Sequence, residues 1–281
     1  MATIDVSLAN GRCRAWLYRP DGRSGAVVVY LHGGGWTIGG VDTHDRACRR
    51  LADRSRLSVL SVDYRLSLEH PFPAAIDDAV AALEWVSSCS DELGESPDFV
   101  AVVGDSAGGT VAALAAIRLR DTELAPDLLM LLYANTDLAA NGGSMDKYAH
   151  GFGLDAGDVE RFNRHWVPDR LRWTDPDISP LRAADLSGLC PTLVLTCEFD
   201  PLRDQAEAFG QRLVTAGVTV TVRRDVGMVH NFLLWDLLSP ACAAAGDRAA
   251  DDLAGAIHRL RAASKIVRCA GGRGCQTLGH G

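Results

Sequence analysis

An apolar run, Phe99-Val100-Ala101-Val102-Val103, is joined to an alanine-rich stretch, Thr110 to Leu119, by the six residues Gly104-Asp105-Ser106-Ala107-Gly108-Gly109. The run reads as a buried strand and the stretch as a helix. The chain must therefore pass from strand to helix within one residue, which holds Ser106 in a strained backbone conformation. A Cβ two positions before or after the serine would clash with the neighbouring strand and helix, so glycine is needed at both places. This pattern, G-x-S-x-G, is the nucleophile elbow. It presents the serine Oγ near a helix N-terminus, where orphan N–H groups can stabilise a developing oxyanion. Alone the pattern is only moderately specific, because a tight strand–helix turn without chemistry satisfies it too.

The rest of the chain repeats the strand–helix theme. Strand-like runs fall at Ala15–Tyr18, Ala26–Leu31, Val59–Val62, Phe99–Val103, Leu128–Tyr133, Thr192–Thr196 and Val218–Val222. Helical stretches fall at about Thr43–Arg56, Ala74–Ser87, Gly108–Arg120, Leu202–Ala216 and Ala241–Ala263. Near-continuous apolar strands alternating with helices predict an α/β fold, a mostly parallel central sheet with helices on both faces. Ligands in such sheets bind beyond the carboxyl ends of the strands, where the elbow serine lies.

The 281 residues allow one large domain or two small ones. No linker or repeat divides residues 1–263, which read as a single domain. The segment 141–177 interrupts the alternation with Gly, Asp and aromatics and reads as a small helical cap. Residues 264–281 lack core periodicity and read as a disordered tail.

A net charge of −8 argues against nucleic-acid binding. The cluster Arg46, Arg49, Arg50, Arg54 and Arg56 reads as the solvated face of a helix. None of the eight cysteines forms a C-x-x-C pair, so no metal site is indicated. A basic-then-apolar leader is not seen at the N-terminus, and no run approaches membrane-span length. A cytoplasmic protein with reduced thiols is expected.

A serine needs a base, and the base an orienting acid. In the α/β-hydrolase arrangement these follow in the order serine, acid, histidine. Of the eight histidines, only His230 follows a late strand in a loop, Gly227-Met228-Val229-His230-Asn231-Phe232. Asp200 follows the strand Thr192–Thr196 and precedes a helix, where it could equally serve as an N-cap. Glu198 and Asp204 are its rivals. After the strand Ala26–Leu31 comes His32-Gly33-Gly34-Gly35-Trp36, whose glycines let backbone N–H groups approach a substrate carbonyl. With the N–H of Ala107, those of Gly33, Gly34 and Gly35 would form an oxyanion hole, and Trp36 would contact substrate.

On His32-Gly33-Gly34-Gly35-Trp36, Asp63-Tyr64-Arg65-Leu66, Glu69-His70-Pro71-Phe72-Pro73-Ala74, Gly104-Asp105-Ser106-Ala107-Gly108-Gly109 and Asp200-Pro201-Leu202-Arg203-Asp204, the chain resembles the hormone-sensitive-lipase-like esterases of the α/β-hydrolase fold. The match in order and spacing covers roughly residues 12 to 263. The resemblance implies a carboxylesterase for short or medium acyl chains without metal or organic cofactor, with Ser106 as nucleophile, Asp200 as acid and His230 as base. A homodimer is compatible with it. Three departures stand out. His230-Asn231-Phe232 replaces the family's His-Gly-Phe, which asparagine's backbone tolerance accommodates. Ser67-Leu68 replaces Ala-Pro. The family's N-terminal helices are replaced by strand-like sequence, from which a more open, wetter acyl pocket is expected.

Asp63, Arg65 and Glu69 read as an ion-pair network behind the oxyanion loop. Asp105 receives no role from the sequence. An acyltransferase on the same triad and a non-catalytic binding protein of the same fold are the alternative readings. Retention of all three triad residues argues against the second.

Overall fold

Eight strands form one sheet in the order β1-β2-β4-β3-β5-β6-β7-β8. The computed structural model describes residues 1–8, 13–22, 25–88, 93 and 96–271, with side chains as far as 263. The strands are β1 (Ala2–Leu8), β2 (Cys13–Arg19), β3 (Ala26–Leu31), β4 (Ser58–Asp63), β5 (Phe99–Asp105), β6 (Leu128–Leu132), β7 (Thr192–Phe199) and β8 (Val220–Val229). The pairs β1–β2 and β2–β4 are antiparallel, and every pairing from β4 through β8 is parallel.

Helices cover both faces, as the uninterrupted apolar strands require. Helices α1 (Val41–Ser55) and α7 (Pro240–Gly271) lie on the face that carries Val28, Tyr30 and Val103. Helices α2 (Ala74–Ser88), α3 (Ala107–Leu119) and α6 (Arg203–Thr215) lie on the face that carries Val29, Leu31 and Val102. Strand β3 is buried along its whole length, so its side chains feed the two cores alternately.

Three elements depart from the sequence reading. Strand β1 precedes the first strand run read from the sequence, Ala15–Tyr18; its Ile4, Val6 and Leu8 alternate with polar neighbours and turn toward the α2 side. Strand β8 runs seven residues past Val222, because its ladder with β7 continues to Phe199 opposite Val229. As an edge strand it is largely exposed, and Arg223-Arg224-Asp225 interrupt its apolar residues, so its hydrophobic signal is weak. Helix α7 extends past Ala263 to Gly271, and the rest of the expected tail lies outside the described residues.

The arginine cluster on α1 is more than a solvated face. Arg46 and Arg50 both pair with Asp236, Arg50 also with Asp247, and Arg54 with Asp251, which ties α1 to α7 and the turn before it.

Between β6 and β7 stand α4 (Ser144–Lys147), α5 (Ala156–Trp166) and two 3-10 turns, Arg170–Thr174 and Pro180–Arg182. Helix α5 is amphipathic: Val159, Asn163 and Trp166 are buried, while Glu160, Arg161 and Arg164 pair among themselves and with neighbours near its surface. These elements form the cap above the carboxyl ends of the strands.

Candidate active site

Three strand-end pairings assemble the site. Leu31 of β3 lies opposite Gly104 of β5, so the loop that begins at His32 emerges beside Asp105. Asp105 lies opposite Leu132 of β6, and the Ser106 N–H donates to the Leu132 carbonyl at 2.9 Å. Phe199 of β7 lies opposite Val229 of β8, which sets Asp200 and His230 side by side.

Ser106 sits at the N-cap of α3 with φ 52° and ψ −120°, a conformation an L-residue adopts only when its surroundings enforce it. The enforcement is steric. A Cβ on Gly104 would stand 2.2 Å from the Gly108 carbonyl oxygen, and one on Gly108 would stand 2.0 Å from that of Leu31. Glycine is the one residue that fits either position.

Ser106 Oγ donates to His230 Nε2 at 2.8 Å, and His230 Nδ1 donates to Asp200 Oδ2 at 2.8 Å. The other Asp200 oxygen accepts the Leu202 N–H at 2.8 Å, so this carboxylate orients the imidazole while capping the turn that leads into α6. Asp200 is fully buried and His230 nearly so, at 0% and 2% exposure. The rivals are engaged elsewhere: Glu198 accepts the Gly227 N–H, and Asp204 pairs with Arg203 and accepts the Ser144 N–H. Asn231 takes φ 64°, a left-handed conformation that asparagine tolerates better than other residues bearing a Cβ.

The glycine loop requires one correction. Gly33 cannot serve as an oxyanion donor, because its N–H is donated to Asp105 Oδ1 at 2.9 Å. Gly34, Gly35 and Ala107 line the cavity in front of Ser106, and Gly33 does not. Gly34 and Gly35 take φ +119° and +58°, and a Cβ on Gly35 would collide with the Phe162 ring of the cap. Ala107 is the first residue of α3, where a backbone N–H has no helical acceptor.

Asp105 is the buried hub that the sequence left without a role. Its Oδ1 accepts from Tyr30 OH at 2.8 Å and from Gly33, and His44 Nε2 lies 3.6 Å away. Burial presses the carboxyl upward, but the charge and contact of His44, with the Tyr30 bond, hold it below its ordinary value. Burial likewise presses His44 down, and Asp105 outweighs it, so that imidazole is raised. His32 is different: burial, reinforced by nearby His44, lowers it to about 4, which keeps it neutral. Its Nδ1 donates to the Gly33 carbonyl at 2.7 Å and its ring stacks on Tyr64 at 4.2 Å. Tyr64 OH in turn donates to the His32 carbonyl at 2.7 Å. Tyr30 and His44 carry no motif, and no sequence signal marked them.

The charged residues behind the loop do not pair with one another as expected. Asp63 pairs with Arg14 and accepts the Val41 N–H, Arg65 forks onto Asp78 of α2, and Glu69 is exposed. Trp36 does line the cavity, but its ring stacks on Trp166 of α5 at 4.2 Å, so it also fastens the loop to the cap. The cavity itself holds about 90 Å³, with Leu154, Val159, Phe162 and Leu202 supplying its apolar walls. Cap side chains, Val159 and Phe162 among them, close over Ser106, which is 8% exposed. Asn135, also on the wall, was not anticipated; its N–H donates to the Ser106 carbonyl at 3.2 Å.

Residues 28–234 match the sequence profile of a family described as alpha/beta hydrolase fold. The chain is 42% identical over 231 residues to the carboxylic ester hydrolase LipN of Mycobacterium tuberculosis, an alignment that covers 79% of this chain and 61% of LipN. It thus spans about three fifths of that relative's length. It is 39% identical to an ethyl acetate hydrolase of Pseudomonas putida, over 77% of this chain and 70% of that one. A solved esterase of Pyrobaculum calidifontis superposes with a TM-score of 0.84 at 38% identity, covering 91% of this chain and 85% of the other. The chain belongs to the α/β-hydrolase fold family, in its hormone-sensitive-lipase-like branch.

Proposed function

We propose that this protein is a serine carboxylesterase that hydrolyses short- to medium-chain esters of small molecules through an acyl-enzyme. The observation that carries the reading is the unbroken relay from Ser106 Oγ through His230 to Asp200, with 2.8 Å at each link. Ser106 attacks the ester carbonyl while His230 Nε2 takes its proton. The oxyanion is held by the N–H groups of Gly34, Gly35 and Ala107. The imidazolium, steadied by Asp200, then protonates the leaving alcohol. Water enters, gives its proton to the same His230, and releases the acid. Every step uses groups that the chain itself supplies.

Residues 1–263 act in this reading as one catalytic domain, with segment 141–177 as its cap. The exposed β8 edge offers a surface for a second copy. Among the described residues no helix is long and apolar enough to cross a membrane. The free thiols of Cys13, Cys48, Cys190, Cys197 and Cys242 suit a reducing cytoplasm. Relatives named as ester hydrolases support the reaction class.

The test is hydrolysis of p-nitrophenyl esters from acetate to palmitate by wild type and Ser106→Ala. Activity that peaks at short chains and falls to background in the variant is expected; equal activity in both proteins would overturn the nucleophile assignment.

A further inference from the structure

A second cleft, of about 230 Å³, adjoins the catalytic one. Two α5 residues, Val159 and Asn163, line both. The far wall is apolar, built from Leu138, Ala140, Met145 and Trp173, and the rim carries Glu160 and Arg170, paired at 3.2 Å. Asn141 and Asn163 also line the cleft, so apolar and polar groups share the pocket, as in many small-molecule sites.

The two partition residues are held very differently. Asn163 is bonded on both sides: its Nδ2 donates to the Leu138 carbonyl at 3.1 Å and its Oδ1 accepts from Asn135 Nδ2 at 3.2 Å. Val159 has only an aliphatic side chain to offer, so it contributes bulk and no fixed bonds. The catalytic chamber measures about 90 Å³. The space behind Val159 is more than twice as large.

We propose that Val159 and Asn163 partition the catalytic chamber from a second substrate subsite, and that the bulk of Val159 sets the length of alkyl chain this protein accepts on its ester. This rests on the esterase reading above. An unbranched alkyl chain matches the walls, whether it belongs to the acyl group or to the alcohol. In wild type the chain ends at Val159. With two methyl groups removed there, it continues into the space bounded by Leu138, Met145 and Trp173.

The experiment measures kcat/KM along two series, p-nitrophenyl esters of increasing acyl length and n-alkyl acetates of increasing alcohol length. The proteins are wild type, Val159→Ala, Val159→Phe and the double variant Val159→Ala/Ala139→Trp, each with its thermal unfolding midpoint. Alanine is the better helix former, so α5 is retained in the first variant. Ala139 lines the second cavity and not the first, so tryptophan there fills the new space.

In one of the two series the optimum should move at least two carbons longer in Val159→Ala. Relative to acetate the longer ester gains roughly fifteenfold, since each newly buried methylene is worth about fourfold. The double variant should return toward wild type, and Val159→Phe should shorten the optimum. The series that moves identifies the acyl or the alcohol side. Folded variants whose profiles match wild type in both series would overturn the partition while leaving the esterase reading intact. Should Val159→Ala not fold, an unshortened optimum in Val159→Phe overturns it equally. A wild type that cleaves neither series, or a Ser106→Ala variant as active as wild type, would overturn the esterase reading itself.

Discussion

Asp105 Oδ1 accepts the backbone N–H of Gly33 at 2.9 Å, so the residue before Ser106 holds the loop that faces it. The two residues lie 72 positions apart and meet because β3 and β5 are parallel neighbours, with Leu31 opposite Gly104. That bond ties the glycine loop to the turn at Ser106, and the N–H groups of Gly34 and Gly35 are aimed by it from one residue upstream. An oxyanion hole is effective only when its donors need no reorganisation during the reaction.

Removing that brace should slow turnover more than it weakens binding. Asp105→Ala leaves the Gly33 N–H and the Tyr30 hydroxyl without their acceptor in a buried site, at a cost of about 1–3 kcal/mol each. Steady-state kinetics on p-nitrophenyl acetate should show kcat reduced on the order of 10²-fold with KM little changed. A parallel rise in KM with kcat preserved would mean that Asp105 acts on substrate binding instead.

Asp200→Asn keeps the shape of the acid and can still accept the Leu202 N–H, while it loses the charge that fixes the His230 tautomer. Turnover should fall by roughly 10⁴-fold. Its unfolding midpoint should stay within a few degrees of wild type, which separates the electrostatic role from the turn cap. Residual activity above about a tenth of wild type would show that another carboxylate orients His230.

The elbow predicts a stability effect. Gly108→Ala places a Cβ 2.0 Å from the Leu31 carbonyl oxygen, an atom held in the β3 ladder that cannot withdraw. Urea unfolding should show a loss of about 3 kcal/mol or more, or no folded protein at all. A variant as stable as wild type would mean that β3 and α3 can separate without cost.

Buried imidazoles set the pH range of stability, with opposite signs. His32 has its folded value lowered from 6.5 to about 4, so below pH 6.5 the unfolded chain takes up a proton that the folded one refuses. Stability therefore drops as pH falls from 6.5 to 4, by about 3 kcal/mol at about 1.4 kcal/mol per pH unit. His44 has its folded value raised, because the opposing Asp105 charge outweighs burial. Its contribution is complete below 6.5 and is lost as pH rises through the folded value. Asp105, lowered, contributes above 3.8 and loses that contribution as pH falls further. Thermal midpoints should peak near pH 6.5, with the acid limb flattened in His32→Asn and the alkaline limb in His44→Asn.

Much of this was legible in the chain. Gly104, Ser106 and Gly108 stand at a spacing that a strand-to-helix turn imposes, and that constraint is local, so it is written in consecutive residues. The strands of the parallel core could be read because a strand buried on both faces must be apolar throughout, as Val27 to Leu31 are. The order serine, aspartate, histidine follows from the order of the strands, which made Asp200 and His230 recoverable by position. Strand β8 was cut short because an edge strand need not be apolar, and its last residues are placed only by their pairing with β7.

What the sequence by itself determined, then, is the backbone scheme and the residue types at the reaction centre. Only the tertiary structure decided which polar groups meet: that Gly33 spends its N–H on Asp105, that His44 and Tyr30 complete that hub, and that the α1 arginines find their acids on and beside α7. It alone also decided how much space remains before Ser106, through Trp36 against Trp166 and Val159 against the chamber. The physical reason is range. Backbone conformation and hydrophobic period are set by neighbours along the chain, whereas hydrogen-bond partners and cavity volume depend on side chains brought together from distant elements, which no local pattern encodes.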